Sequence, residues 1–238
     1  MRHPLSVRFP LDKFGHDLRQ SLRAILFNTQ RIQRQNPPLS PETLTLLEQV
    51  IAAARRQEEL IEGVVDYDSA ISQAGQLDRR MRLSVVLQAA CRQVEPFRKL
   101  HQGTLQVSEC PLVYASPILA KALEHLLHNA LKFHRLGSEP LVRVEVEVGE
   151  DVARGIVIRV TDDGIGIEEK YRESVFSPLT RLHGPDEYAG PGMGLSICRA
   201  LLGSIQGTVI FEDSGGGSGV CAAIRVPAAE VDRLTASD

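Results

Sequence analysis

Four short segments of this sequence set reactive side chains at spacings that chemistry can use. In Phe14-Gly15-His16-Asp17-Leu18 a histidine stands beside a carboxylate. Asp17 can accept a hydrogen bond from one ring nitrogen of His16, fixing the tautomer and raising the nucleophilicity of the other. In the segment His125 to Phe133, read as helix, Asn129 and Lys132 lie three apart and share a face. An amide oxygen can ligate Mg²⁺, and an ammonium can meet a phosphate. Asp162-Asp163-Gly164-Ile165-Gly166-Ile167 follows a strand directly. There a carboxylate with glycines two and four residues on provides an acceptor in a niche that a flat ring can enter. Gly190-Pro191-Gly192-Met193-Gly194-Leu195 opens a helix. Its exposed backbone N–H groups suit an anion such as a polyphosphate. Either glycine segment alone reads most simply as a tight turn, so their order and flanking elements carry the weight.

Those elements are legible from periodicity. Leu18, Leu22, Ile25, Thr29 and Ile32 follow steps of 4, 3, 4 and 3, with Gly15 and Leu11 before them, which is a heptad seam. His16 then falls outside the seam and faces solvent. Asn36-Pro37-Pro38 ends this helix. Ser40 is placed to cap a second one, with Pro41 at its first position and Thr43 where a capping-box acid would stand. Its seam runs Leu44, Leu47, Ile51, Ala54, Glu58, Ile61, Val65. Glu58 interrupts it, marking either a splayed end or a polar contact that fixes register. A lone hairpin leaves both seams in water, so a dimeric four-helix bundle, and hence a homodimer, is expected. From about residue 76 the period changes. Strands are expected at 104–107, 142–148, 156–161, 207–211 and 220–226, with helices at 83–99, 115–135 and 192–203. That is an α+β chain: a helical hairpin over 1–75, then an α/β sandwich with a mixed sheet over 76–238. The stretch from Ile167 to Gly190 has no clean period and reads as a functional lid.

Composition excludes several classes. The chain has 238 residues, 43% of them hydrophobic, which is too apolar for disorder. No apolar run approaches the roughly 18 residues needed for a membrane span, and the first residues lack a signal-peptide core. The four cysteines, Cys91, Cys110, Cys198 and Cys221, are far apart and show no zinc or redox spacing, which fits a reducing cytoplasm. The first 75 residues hold 9 basic and 9 acidic side chains, no footprint for nucleic acid.

In these motifs the chain resembles the transmitter core of a sensor histidine kinase, above all the phytochrome-linked kind. His16–Leu22 resembles that family's phosphoacceptor box, Asn129–Phe133 its N box, Asp162–Ile167 its first glycine box and Gly190–Leu195 its second. Phe176 and Arg181-Leu182-His183-Gly184 resemble its nucleotide lid. The resemblance implies an ATP-binding domain of the Bergerat (GHKL) type, with ATP and Mg²⁺ as cofactors. It implies that Asp162 holds the adenine amino group, with Gly164 and Gly166 beside it, and that Asn129 carries the metal. Lys132, with Arg181 or His183, would neutralise phosphate charge. Phe133 would line the pocket and Phe176 would anchor the lid. Gly190, Gly192, Gly194 and Leu195 would pass close to the triphosphate. It further implies autophosphorylation of His16, with Asp17 as orienting base, and transfer to the receiver domain of a response regulator.

Four positions depart from the pattern. Ser21 replaces a proline, Gln20 stands where relatives orient a hydrolytic water, His125 replaces the first asparagine of the N box, and Leu179 replaces a lid phenylalanine. No sensor domain precedes residue 11, so the signal is expected from a separate sensor protein or from a segment outside this sequence. Two rival readings are a scaffold or phosphotransfer protein with a degenerate nucleotide fold, and an ATPase clamp. The intact Asn129, Asp162, Gly164, Gly192 and Gly194 weigh against the first. The short segment after the last strand weighs against the second.

Overall fold

The computed structural model describes residues 11–34, 39–74, 80–149, 155–184, 187–188, 190–213 and 218–233. The chain divides into two compact units, Met1–Asp68 and Ser69–Asp238. The boundary expected between residues 75 and 76 lies outside the described residues, as does the Asn36-Pro37-Pro38 break.

The first unit is built on α1 (Leu11–Gln33) and α2 (Pro41–Ala74), whose last turns pass into the second. The cap at Ser40 forms as its sequence predicts: the Thr43 N–H donates to Ser40 Oγ at 3.2 Å, and the two hydroxyls lie 2.8 Å apart. The helices run antiparallel, with Gly15 opposite Ile61 and Val65 and Arg23 opposite Glu58. Any side chain at Gly15 would press on Val65, since a methyl there would sit 2.5 Å from its Cγ2. Glu58 is therefore not a flaw in the seam, because Arg23 Nε reaches its carboxylate at 3.5 Å across the hairpin. The single seam expected on α1 is in fact two stripes. Gly15 and Thr29 are buried and Leu22 is half-buried, while Leu18, Ile25 and Ile32 are 37%, 46% and 41% exposed. Thr29 tolerates burial because its hydroxyl donates to the Ile25 carbonyl at 2.7 Å. Leu46 and Val50 extend an exposed apolar surface on α2.

The second unit contains a five-stranded mixed sheet of order β2-β4-β5-β7-β6. Its strands are β2 (Thr104–Val107), β4 (Leu141–Val148), β5 (Ile156–Asp162), β6 (Thr208–Glu212) and β7 (Cys221–Val226). β2 joins β4 in parallel and the other pairs are antiparallel. A small second sheet, formed by β1 (Met81–Arg82), β3 (Val113–Ala115) and β8 (Val231–Arg233), carries no sequence signal because its strands are two or three residues long.

Helix α4 (Ile118–Lys132) packs on β4 and β5, flanked by α3 (Leu83–Leu100) and α5 (Gly194–Ser204). Its apolar face is fully buried at Leu119, Leu123, Leu127 and Leu131. At roughly 1.5–3 kcal/mol for each such side chain, this face fixes the rotation of α4 about its axis. His125, Asn129 and Lys132, spaced by 4 and 3, therefore form a separate half-buried stripe. Helix α4 is shorter than the 115–135 expected, since Ala115 ends β3 and the helix stops at Lys132.

Ser40→Ala removes the side-chain acceptor at the start of α2 and should cost about 1 kcal/mol of stability. A denaturant melt of the full chain checks this, and an unchanged midpoint contradicts the cap.

Candidate functional site

In the first unit His16 and Asp17 are both exposed, with His16 Nδ1 at 3.4 Å from Asp17 Oδ1. The carboxylate thus faces one ring nitrogen and leaves Nε2 toward solvent, as the helical position predicts. Arg19, Gln20, Arg23 and Glu62 complete a shallow recess of about 340 Å³ around the ring.

In the second unit the site grows from the end of α4. Phe133 closes the helix by donating its N–H to the Asn129 carbonyl at 3.0 Å. The Phe133 carbonyl then accepts the Ile165 N–H at 3.0 Å, which draws the loop after β5 against the helix end. This approach needs glycine at 164, where a Cβ would collide with the Phe133 carbonyl. Asp162, the last residue of β5, accepts from the N–H groups of Gly164 at 2.9 Å and Val220 at 3.2 Å, both on Oδ1. Burial dominates these bonds and pushes its carboxyl from 3.8 up to about 6. One oxygen is thus committed to the backbone, leaving Oδ2 to meet a ligand donor.

The second glycine segment meets the same helix. The point where a Cβ on Gly194 would sit lies 3.6 Å from His125 Nδ1, 3.7 Å from Asn129 Nδ2 and 3.8 Å from Asn129 Oδ1. A Cβ on Gly190 would lie 3.0 Å from Lys132 Nζ. Gly192 has φ +73° and passes close under the Thr180 carbonyl, where a larger residue would be strained and blocked. Leu195 is half-buried in the first turn of α5. Asn129, Lys132, Phe133, Gly164, Gly190 and Gly194 are therefore brought together along one helix face.

The remaining lid residues lie apart from that face or are engaged locally. Phe176 is buried in a stack on Phe211 with ring centroids at 4.9 Å, and the Arg199 guanidinium lies 4.1 Å above its ring. Arg181 donates to the Tyr188 carbonyl at 2.7 Å, and His183 Nδ1 lies 3.3 Å from Glu187. His183 and Gly166 line a neighbouring cleft of about 790 Å³ with Ile165, Ile167, Leu182 and Gly219, which neither Asp162 nor Asn129 reaches. Sequence reasoning missed Tyr188. Its ring packs on Phe133 at 4.9 Å and its hydroxyl donates to the His134 carbonyl at 2.9 Å, pinning the lid to the end of α4. The available signal was a lone aromatic in a polar loop two residues before Gly190.

Residues 115–230 match the family described as histidine kinase-, DNA gyrase B-, and HSP90-like ATPase. Among curated proteins, the chain is 27% identical over 204 residues to the phytochrome-like protein Cph1 of Synechocystis, covering 85% of this chain and 27% of that one. It is 25% identical over 229 residues to the adaptive-response sensory kinase SasA of Gloeothece citriformis, covering 91% of this chain and 56% of that one. The chain spans about a quarter of the length of Cph1 and of the Nostoc cyanobacterial phytochrome A that it also matches. Its fold is similar to part of ShkA, solved at full length in complex with AMPPNP, at a TM-score of 0.63 and 19% identity, covering 95% of this chain and 46% of that one. The Acinetobacter baumannii histidine kinase AdeS matches at a TM-score of 0.57 and 17% identity, covering 90% of this chain and 98% of that one. Residues 115–230 thus resemble histidine kinase-, DNA gyrase B-, and HSP90-like ATPases, and the chain resembles the transmitter core of sensor histidine kinases in motif order and in fold.

Because folding raises the pKa of Asp162 from 3.8 to about 6, the folded state holds this proton more tightly than the unfolded one. Its contribution to stability is present below about pH 4 and is lost as pH rises through 6. Asp162→Asn should therefore melt at a higher temperature than wild type at pH 7.5, by a margin that shrinks toward pH 4. An equal margin at both pH values contradicts the burial argument.

Proposed function

We propose that the chain is an ATP-dependent protein-histidine kinase of a two-component system, which phosphorylates His16 and passes the phosphoryl group to an aspartate on a response regulator. The observation that carries this is the exposed His16–Asp17 pair on a helical hairpin in the same chain as residues 115–230, which match histidine kinase-, DNA gyrase B-, and HSP90-like ATPases.

The residues of the second unit fit a Mg²⁺-nucleotide. Asn129 stands at the open cradle over Gly194, and Lys132 stands beside Gly190. Asp162 Oδ2 would accept from the adenine amino group, while Phe133 and Gly166 would border the ring. The N–H groups at Gly192, Gly194 and Leu195 would face phosphate oxygens at the start of α5. Bound at Asn129, Mg²⁺ would draw off charge that develops on the transferring phosphate. Arg181 and His183 would add positive charge when the lid closes, and Phe176 would hold the lid's root in the core.

At His16, the Nε2 lone pair attacks the γ-phosphorus. A P–N bond forms, the bond to the β,γ-bridging oxygen breaks, and ADP leaves with the electron pair. Asp17 keeps the proton on Nδ1 and stabilises the positive charge that the ring gains. A receiver aspartate then takes the phosphoryl group, forming a P–O bond as the P–N bond breaks.

The exposed stripe of Leu18, Ile25 and Ile32, with Leu46 and Val50, supports assembly as a homodimer through a four-helix bundle. No helix of the described residues is long and apolar enough to cross a membrane. Together with four unpaired cysteines this supports a cytoplasmic place for the chain, with its signal arriving from a separate sensor protein or domain.

Incubation with γ-labelled ATP tests the reading. Label should appear on the wild type, be labile to acid and stable to base, and vanish in His16→Gln with nucleotide affinity unchanged. Label persisting in that variant overturns the assignment. Asp162→Asn should lose about tenfold to hundredfold in ATP affinity, the worth of a charge-assisted bond in a desolvated niche. Ile25→Asp should shift the full chain toward monomer in light scattering, because it places an unpaired charge in the buried bundle. An unchanged mass contradicts the bundle.

A further inference from the structure

Two consecutive carbonyls at the end of α4 accept hydrogen bonds from two different segments. That of Phe133 accepts the Ile165 N–H at 3.0 Å, and that of His134 accepts the Tyr188 hydroxyl at 2.9 Å. The first bond is backbone to backbone. The second depends on a single side chain. The half-buried Tyr188 ring also packs on Phe133, with centroids at 4.9 Å and planes at 50°, and His183 meets it edge-on at 5.5 Å. The Tyr188 carbonyl accepts from the Arg181 guanidinium at 2.7 Å, which ties the start of the lid to the same residue. Tyr188 stands two residues before Gly190, where a Cβ would lie 3.0 Å from Lys132 Nζ. A tie at Tyr188 therefore sets the start of the second glycine segment against α4. Every group in these contacts belongs to the chain, so nothing in them requires a nucleotide.

We propose that Tyr188 is a positioning residue for the nucleotide: acting through the Phe133 ring and the His134 carbonyl, it holds the lid on the end of α4 before the nucleotide arrives, and so lengthens the time a bound nucleotide stays. The inference rests on the nucleotide-binding reading above. A segment already held in its bound place loses less conformational freedom when the ligand arrives, and the difference appears as affinity. Among variants of one site such differences fall mainly on the dissociation rate. The hydroxyl and the ring contribute separately. Loss of one neutral hydrogen bond corresponds to about fivefold, and loss of one aromatic ring pair to about fivefold more. A purely structural role for Tyr188 would lower the fraction of folded protein and leave release from the folded molecules unchanged.

The test uses the full chain, a fluorescent N-methylanthraniloyl derivative of ATP with Mg²⁺, and the variants Tyr188→Phe and Tyr188→Leu. Stopped-flow displacement by excess unlabelled ATP gives the release rate, and the amplitude gives the fraction of protein that binds. Release should be about fivefold faster in Tyr188→Phe, which keeps the ring, and about 25-fold faster in Tyr188→Leu, which keeps neither group. Association should stay within about twofold of wild type in both. Trypsin supplies a readout without nucleotide. Cleavage after Arg181, followed by mass spectrometry, should quicken in the order wild type, Tyr188→Phe, Tyr188→Leu. Equal release rates in the three proteins, whatever their amplitudes, overturn this proposal and leave nucleotide binding standing, and so does an equal rate of cleavage after Arg181. Failure of the wild type to bind the fluorescent nucleotide overturns the nucleotide reading and this proposal with it.

Discussion

The candidate nucleotide site depends on one hydrogen bond, from the Ile165 N–H to the Phe133 carbonyl. It joins the C-terminal end of α4 to the loop after β5, and so sets Asp162 against the helix that carries Asn129 and Lys132. The bond forms only because Gly164 has no side chain to block the approach. The ring of the same Phe133 takes the lid on its other side through Tyr188, and the Lys132 ammonium sits 4.6 Å from its centroid. One residue thus gathers the end of α4, the loop after β5 and the lid.

The rest of the second unit serves to hold that residue still. Leu119, Leu123, Leu127 and Leu131 lock α4 against the sheet, and Ile156, Ile158 and Val160 do the same for the strand that delivers Asp162. Asp162 is itself kept in a position that does not favour its charge. Burial raises its pKa to about 6, the kind of shift that clusters at functional sites. His125 Nε2 is likewise buried, with no hydrogen-bond partner among the described residues.

Much of this was legible in the sequence, because the strongest signals are periodic or positional. Heptad steps predicted both long helices and the outward direction of His16. Alternation placed β4, β5 and β7 within a residue or two of their ends. Other features depended on partners distant in the sequence. Glu58 looked like a break in a seam until Arg23 met it from α1. The stripe of Leu18, Ile25 and Ile32 could not be separated from that of Gly15 and Thr29 before α2 showed which of them it covers. Tyr188 had no periodic neighbours, and its role follows from a ring contact and a hydrogen bond to a residue more than fifty positions earlier. The small sheet of β1, β3 and β8 left no trace, since strands of two or three residues carry no period.

In the proposed reading, the end of α4, the loop after β5 and the lid act as one nucleotide cradle organised by Phe133. Hydrogen exchange of the full chain with and without Mg²⁺-ATP tests it most directly. ATP should slow exchange together in residues 129–134, 162–167 and 180–195, while residues 104–107 on the far edge of the sheet stay unchanged. Protection confined to a different surface, or to only one of the three segments, would contradict it.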